Sequence, residues 1–582
     1  NDVNYVENSI GLYLRPSSIS GYSTGVGITT LKNYDLKFGD YAKNGILILN
    51  DGTANSYYVP TNTLTLTQAV VVDNSMVPSI DIEGGTNNTV VYNKGTISNS
   101  SFGTVPVISV KPDINIGTAN KFVDKTLGIY NLGGIVHLTG NINTYGNQSH
   151  GINNSLVSAT SGGNLVKING NLDNTIDGVD KAISLIVNGD DSASLYNKES
   201  TATFTQGGTF KALGNNGVVF YNDHGTINVS GNAILEADNN GVILYANGGS
   251  MNLNGDITYN VKNGSVFATT DQTAGVVQIN LTGGNQTLNL EDESVGFLYD
   301  GNSVPLGTNS LVDYLNANFS GLNNLNVNIS DDSRLFIINN YGTMKLSDLE
   351  ALNTGGSIFK TVTGNLSSTL LNKGTLELDT VGIVDLDDPN NVYVNTDKAS
   401  SGIIVDANVT VKGTLSDQIA LAGKDQYRGT PGGSTYVVMT NNGTIDLSGD
   451  NSIGIYTNNG VINNNTNINV TGNGSAGLFG ENGTAITNSG NINISNNGVG
   501  IYAVSYQDPQ NPETTFGDGT ISIVNNGSIT TETSSKAIGI YANNNKTGAL
   551  RSSGTLNLAN GLVDVSLSES GTGIYSENFP KT

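Results

Sequence analysis

Three aspartates lie within four positions of one another, at Asp385, Asp387 and Asp388. In an extended strand Asp385 and Asp387 share one face, because side chains alternate sides. Two carboxylates about 5–9 Å apart are the pair that glycoside hydrolases use. A solvated or weakly calcium-binding loop explains the same cluster, and this is the interpretation we adopt. The sequence thus predicts no metal centre and no cofactor, and a glycan-active enzyme stays an alternative.

Other residues suited to catalysis are few. The three histidines, His137, His150 and His224, are expected inside repeat cores or corners. We interpret His224 as a turn residue, because Asn247 and Gly248 occupy the equivalent place in the next repeat. Cys is absent, which excludes a thiolate metal site, a Cys nucleophile and a disulfide scaffold. We therefore predict that the chain is not an enzyme.

Loops that interrupt a repeat often carry its binding function, and two segments of this chain leave its pattern. They are residues 503–520 and 421–433. The candidate ligand-binding residues are Tyr506, Asp508, Glu513 and Asp518 in the first loop, Asp425, Tyr427 and Arg428 in the second, and Asp385, Asp387 and Asp388 in the acidic cluster.

The elements that position these loops belong to an internal repeat. GVVFYNDHGTINVSG (217–231) matches GVILYANGGSMNLNG (241–255), 24 positions on, and Gly-Ile-Tyr-like triplets recur at 454–456, 477–479 and 500–502. Between the triplets, apolar residues alternate with polar ones over three to five positions, which is typical of strands. Asn and Gly bound each strand, and both residue types tolerate the left-handed backbone of tight corners.

A unit of two or three short strands cannot bury its apolar face unless it stacks on its neighbours. The sequence therefore predicts an all-β fold, a parallel β-helix with coils of about 23 residues and inserted loops or short helices. Corner asparagines should form amide ladders from coil to coil. One aromatic column should contain Tyr456, Phe479, Tyr502, Tyr541 and Tyr575.

The whole chain, 1–582, is predicted to be one continuous β-helix. Within it we expect a less regular part (1–125), repeat coils (126–300), coils with larger insertions (301–440) and the most regular coils (441–582). Helix-capping signals at Ser310 with Asp313, and at Ser347 with Glu350, predict two short helices.

The composition limits the classes of partner that the chain is expected to bind. The chain has 85 Asn and 74 Gly, only 13% charged residues and a net charge of −24. An acidic surface opposes nucleic-acid binding, and no apolar run is long enough to span a membrane. The first residue is Asn1, preceded by neither Met nor a leader-like stretch, so we expect a processed or excised piece.

The segment 454–503, GIYTNNGVINNNTNINVTGNGSAGLFGENGTAITNSGNINISNNGVGIYA, resembles the passenger repeats of large monomeric (type V) autotransporter adhesins of the fusobacterial kind. The resemblance is clearest over 441–575. It implies a right-handed β-helix displayed at the outer-membrane surface by a C-terminal barrel that is not part of this sequence. The family includes an arginine-inhibitable coaggregation adhesin and a galactoside-binding adhesin.

Three functions remain open on this basis. The first is a bacterial cell-surface adhesin fragment, a monomer that binds a receptor, glycan or protein, on host cells or other bacteria. The second is a structural stalk without a ligand site of its own. The third is a polysaccharide-active enzyme.

Overall fold

Short parallel strands stack coil upon coil throughout the computed structural model. The fold is a right-handed parallel β-helix, so the predicted class is confirmed. The chain forms two compact units, unit 1 (1–298, 315–333 and 356–364) and unit 2 (299–314, 334–355 and 365–582). The structure describes residues 10–14, 27–31, 42–51, 68–72, 79–99, 102–161, 164–176, 179–269, 277–300, 311–330, 333–347, 358–364, 369–379, 383–385, 396–397, 402–405, 407–424, 438–458, 460–482, 484–495, 497–505, 521–531, 536–545, 556–560, 564–566 and 571–579.

Unit 1 has three sheets, to which each coil contributes about one strand apiece. Sheet 1 contains Ile10–Leu14, Ile46–Asp51, Thr89–Lys94, Leu127–Leu132, His150–Ser155, Ala193–Lys198, Val218–Asp223, Val242–Asn247, Ser265–Thr269 and Val295–Asp300. Sheet 2 contains Gly27–Leu31, Gln68–Val72, Val107–Val110, Ile135–Leu138, Asn171–Asp173, Thr201–Phe204, Thr226–Ser230, Gly249–Asn254, Val277–Thr282 and Phe319–Ser320. Sheet 3 contains Ser79–Ile82, Asp113–Ile116, Ile142–Thr144, Ile183–Val187, Gly208–Ala212, Ala233–Asp238, Ile257–Lys262, Gln286–Glu291, Leu325–Ile329 and Thr361–Gly364.

Unit 2 is likewise built from three stacks of strands. Sheet 4 contains Ile383–Asp385, Ile419–Lys424, Ile453–Asn458, Ala476–Glu481, Val499–Ser505, Ile538–Asn544 and Thr572–Glu577. Sheet 5 contains Thr396–Asp397, Gly402–Val405, Val438–Asn441, Val461–Asn464, Ala485–Asn488, Ile521–Asn525 and Leu556–Asn560. Sheet 6 contains Arg334–Lys345, Thr369–Leu378, Val409–Gly413, Thr444–Leu447, Ile468–Val470, Asn491–Ile494, Ser528–Thr531 and Asp564–Ser566.

Insertions leave the coils at their corners. Among the described residues four are antiparallel hairpins, formed by Thr96–Asn99 with Phe102–Thr104, Val157–Ser161 with Asn164–Ile168, Thr175–Ile176 with Val179–Asp180, and Thr396–Asp397 with Gly402–Val405. The α-helix Leu311–Asn318 confirms the first predicted helix, and a 3₁₀ turn follows at Leu322–Asn324. The second predicted helix lies mostly outside the described residues.

Many strands bury alternate residues, as the apolar periodicity predicts, for example Ile183–Val187 and Thr226–Ser230. In Leu127–Leu132 the side chains of Ile129 and Asn131 point into the coil, and Tyr130 points outward. The buried aliphatic residues of successive coils stack in columns, each contributing about 1.5–3 kcal/mol of burial. The core is therefore filled by side chains along the stack, and binding chemistry falls to the outward columns and the inserted loops.

Buried asparagines form the predicted amide ladders. In unit 1 the Nδ2 of each asparagine donates to the Oδ1 of the next at 2.8–3.0 Å, through Asn50, Asn93, Asn131, Asn154, Asn197 and Asn222. In unit 2 the distances are 2.7–2.8 Å, through Asn441, Asn464, Asn488 and Asn525. The ladders satisfy buried side-chain amides near the strand ends, except at the two ends of the unit 2 ladder, where Asn441 Oδ1 and Asn525 Nδ2 have no hydrogen-bond partner among the described residues.

The stacking distance leaves no room for a side chain at Gly454 and Gly477, which begin two of the Gly-Ile-Tyr-like triplets. A Cβ on Gly454 would lie 2.5 Å from the carbonyl oxygen of Gly477, and one on Gly477 would lie 2.6 Å from that of Gly500. These distances are below any ordinary contact between the atoms. At these two positions a Cβ would press against the backbone of the next coil, so the stack requires glycine there.

Candidate functional site

Nine of the ten sequence-predicted site residues lie outside the described residues. They are Tyr506, Asp508, Glu513, Asp518, Asp425, Tyr427, Arg428, Asp387 and Asp388. Asp385 ends a strand of sheet 4, and its backbone pairs with Ala422, which pairs in turn with Tyr456. Asp385 thus stands at the register position of the aromatic column, and the expected pairing of its side chain with Asp387 stays a prediction.

The predicted aromatic column is present on the outer face of sheet 4. Adjacent ring centroids are 4.7–5.5 Å apart along Tyr456, Phe479, Tyr502, Tyr541 and Tyr575. Tyr502, Tyr541 and Tyr575 stack face to face, with interplanar angles of 25° and 12°, whereas Phe479 meets Tyr456 and Tyr502 at 63° and 58°.

Carboxylates accompany this column. The hydroxyl of Tyr456 donates to Glu481 Oε2 at 2.9 Å, and that of Tyr541 donates to Glu577. The Nδ2 of Asn543 also donates to Glu577, at 2.7 Å. Burial, followed by the hydrogen bond to Glu577, raises the pKa of Tyr541 to about 12. The column therefore presents neutral phenols beside acceptors at physiological pH.

Unit 1 carries a second aromatic column, which sequence reasoning missed. On the outer face of sheet 1 the centroids of Tyr92 and Tyr130 are 4.8 Å apart. The column continues with Tyr196, Tyr221 and Tyr245, whose successive ring centroids are 4.9 and 4.7 Å apart. Between the two groups Asn153 pairs in register with Tyr130 on one side and Tyr196 on the other. The sequence signal for this column is the recurrence of Gly128-Ile129-Tyr130 as Gly151-Ile152-Asn153. Insertions make the spacing between the other tyrosines irregular, so the rest of the column is not evident from the sequence.

A groove of about 600 Å³ opens on the outer face of sheet 3. Three successive coils supply outward side chains to it, Asp81, Asn115 and Asn143, because these residues pair in register. The turn after Ile116 forms one wall, closed by reciprocal backbone hydrogen bonds between Thr118 and Lys121. The side chains of Glu83, Lys121 and Tyr145 also line the groove.

Hydrogen bonds fix part of this lining. Asp81 accepts from Asn115 Nδ2 through Oδ1 and from Ser79 Oγ through Oδ2, both at 2.8 Å. Asn143 Oδ1 accepts from Asn188 Nδ2 at 3.0 Å. The groove thus offers carboxylates, amides, an ammonium group and a phenol on a rigid sheet, which suits a polar ligand with several hydroxyl or charged groups.

The histidines correct one expectation and confirm another. His137 lies on the outer face of sheet 2 and not in a core or corner, and its Nδ1 is 2.7 Å from Asp173 Oδ1. Ser109 pairs in register with His137, but its hydroxyl makes no hydrogen bond to the imidazole among the described residues, so a nucleophile–base contact is missing. His224 has φ 57° in a corner, so it is the turn residue that the repeat predicts.

A smaller groove of about 330 Å³ lies elsewhere on sheet 3 and is mainly acidic. It is lined by Glu236, Asp238, Asn260, Lys262 and Glu291, among others. Burial, and then the nearby Glu236, raise the pKa of Asp238. Across the described part of the chain, no three His, Asp or Glu side chains are arranged to hold a metal ion.

No known protein family, curated protein or solved structure matches this chain. Among the described residues, none of the helices has the length and apolarity needed to cross a membrane. The sheets, columns and grooves are therefore the features on which a functional proposal can rest.

Proposed function

We propose that this chain is part of a bacterial cell-surface adhesin, an autotransporter passenger that binds a receptor on host cells or other bacteria. The observation that carries the proposal is the 600 Å³ groove on sheet 3. Its carboxylate, amide and phenol groups come from successive coils and are held in register by the sheet. A glycan or an extended polar segment of a protein offers the complementary hydroxyl, amide and charged groups.

The acidic balance of the chain supports a surface role in a simple way. A net charge of −24 attracts cationic groups on a partner at long range and keeps the chain soluble. We propose display at the outer-membrane surface because the repeats resemble those of autotransporter passengers. The filled core and the continuous amide ladders support the alternative of a structural stalk, because neither needs a ligand to be stable.

The test is binding of the purified, folded chain to host epithelial cells and to partner bacteria. Free galactosides are added in one set and free arginine in the other. Loss of binding with a galactoside indicates a lectin-type adhesin, and loss with arginine indicates recognition of a cationic group. Absence of binding to every surface would refute the proposal and leave the stalk function.

Two matched variants locate the contact. Tyr145→Ala removes the phenol from the groove, whereas Tyr245→Ala removes an outward tyrosine of sheet 1, in a different coil and on a different face. We expect cell binding to weaken about tenfold in the first variant and to remain in the second. Equal binding by both variants would show that the groove is not the contact surface.

A further inference from the structure

The tyrosine column of sheet 1 is interrupted at one coil. Asn153 replaces a tyrosine there, so the rings of Tyr130 and Tyr196 are separated by two coil steps instead of one. At about 4.8 Å for each step, the two rings are about 9.6 Å apart. Every other pair of neighbouring tyrosines in this column stacks at 4.7–4.9 Å. Tyr130 and Tyr196 therefore each turn a ring face toward the shorter side chain of Asn153 and not toward another ring, and we call the space between the two rings the ring slot.

The floor of the ring slot is polar. Asn153 is half-exposed, and its Oδ1 accepts a hydrogen bond from Ser155 Oγ at 2.6 Å. Its Nδ2 donates to no atom of the described residues, and neither tyrosine hydroxyl makes a hydrogen bond to them. An amide donor at the base and two hydroxyl groups at the rim are thus available to a ligand.

The width of the slot selects the shape of its ligand. With contact distances of 3.5–4.0 Å, a planar group between two rings needs a spacing of about 7–8 Å. A puckered pyranose, which carries C–H groups on both faces, needs about 8–9 Å on the same basis. A spacing of about 9.6 Å therefore fits the thicker ring and leaves a planar guanidinium or aromatic group loose.

The position of the slot in the chain is a separate indication of function. Two hairpin insertions, Val157–Ser161 with Asn164–Ile168 and Thr175–Ile176 with Val179–Asp180, follow Asn153 within the same coil. This coil advances 43 residues from Asn153 to its register partner Tyr196, whereas the next advances 25. Insertions in repeat proteins tend to lie on the binding face, and here they coincide with the only break in this column between Tyr92 and Tyr245.

We propose that the ring slot between Tyr130 and Tyr196 binds a pyranose ring of a glycan, sandwiched between the two phenols and hydrogen-bonded by the Asn153 amide. The C–H groups of the sugar pack against the parts of the two ring faces that extend beyond the Asn153 side chain, and its hydroxyl groups meet Asn153 Nδ2 and the tyrosine hydroxyls. The inference rests on the proposed adhesin function for its biological meaning, because it names the class of receptor. The binding itself is a property of the isolated chain.

The decisive variant is Asn153→Tyr, which fills the slot and completes the tyrosine column. The probes are methyl pyranosides of galactose, glucose and mannose, and saturation-transfer NMR measures their contact with the purified chain. We expect transfer to the ring C–H protons of at least one pyranoside, and binding about tenfold weaker in Asn153→Tyr. Tyr245→Ala, which removes a ring at the far end of the column, should bind as the unaltered chain does.

Tyr196→Leu gives a second test if Asn153→Tyr does not fold, because it removes one wall and leaves Asn153 in place. Circular dichroism verifies the fold of each variant. Equal pyranoside binding with and without the slot would overturn the proposal. So would transfer to free arginine in the absence of any to the pyranosides. A chain that binds cells but no pyranoside keeps the adhesin function and loses this inference; the opposite result keeps the inference alone.

Discussion

Replacing Asn464 by alanine tests whether the buried amide ladder stabilises unit 2. Asn464 Nδ2 donates to Asn488 Oδ1 at 2.7 Å and to the carbonyl of Thr466 at 3.0 Å. Its Oδ1 accepts from Asn441 Nδ2 at 2.8 Å. Alanine removes all three hydrogen bonds and leaves the amide groups of both neighbouring coils without these partners in a site closed to water.

The expected loss follows from the groups that are left unpaired. Each buried donor or acceptor deprived of its partner costs about 1–3 kcal/mol, so two side-chain groups together cost about 2–6 kcal/mol. We expect Asn464→Ala to lower the free energy of unfolding of unit 2 by about 4 kcal/mol. The matched control is Asn463→Ala on the same strand, whose side chain is half-exposed and outside the ladder. A surface substitution of that kind should change stability by less than about 0.5 kcal/mol.

Urea unfolding followed by far-UV circular dichroism gives the global values for the two variants. Hydrogen exchange of peptides from 438–500 reports the local effect, because the coils of a solenoid can open separately. Exchange should accelerate in the coils on either side of residue 464 in the ladder variant only. A loss below about 1 kcal/mol, or equal losses in the two variants, would refute the assignment of stability to the ladder.

Three further outcomes are expected. Gly477→Ala should destabilise unit 2 by about 1–3 kcal/mol, because its Cβ meets the carbonyl of Gly500, whereas Gly573→Ala, with nothing within 4 Å, should be neutral in the same urea assay. Tyr541 should ionise near pH 12 in an absorbance titration at 295 nm. Because its folded pKa is raised, its contribution to stability is complete below pH 10 and is lost as the pH rises toward 12; ionisation at pH 10 would contradict this. Burial lowers the pKa of His150, whose Nδ1 accepts a hydrogen bond from the Ala193 amide. The contribution of this histidine to stability is therefore present above pH 6.5 and is lost as the pH falls through the lowered pKa. An NMR titration of the ring protons measures that pKa.

The sequence by itself determined the architecture of the coils. Alternating apolar residues, Asn-Gly corners and a period near 23 residues predict stacked parallel strands, and the structure has them. The column from Tyr456 to Tyr575 and the ladder through Asn464 were predictable for the same reason. In this region each coil resembles the next, so equal positions in the sequence become neighbours in space.

Only the tertiary structure decided where the outward side chains meet in unit 1. Its coils vary in length, and sequence spacing cannot tell how many residues an insertion takes out of the stack. Backbone hydrogen bonding between strands restores the register after each insertion, and this register places Asp81 beside Asn115, His137 beside Asp173 and Asn153 between two tyrosines. The fold follows from local periodicity, whereas the candidate sites follow from strand pairing across insertions, which is a long-range property of the folded chain.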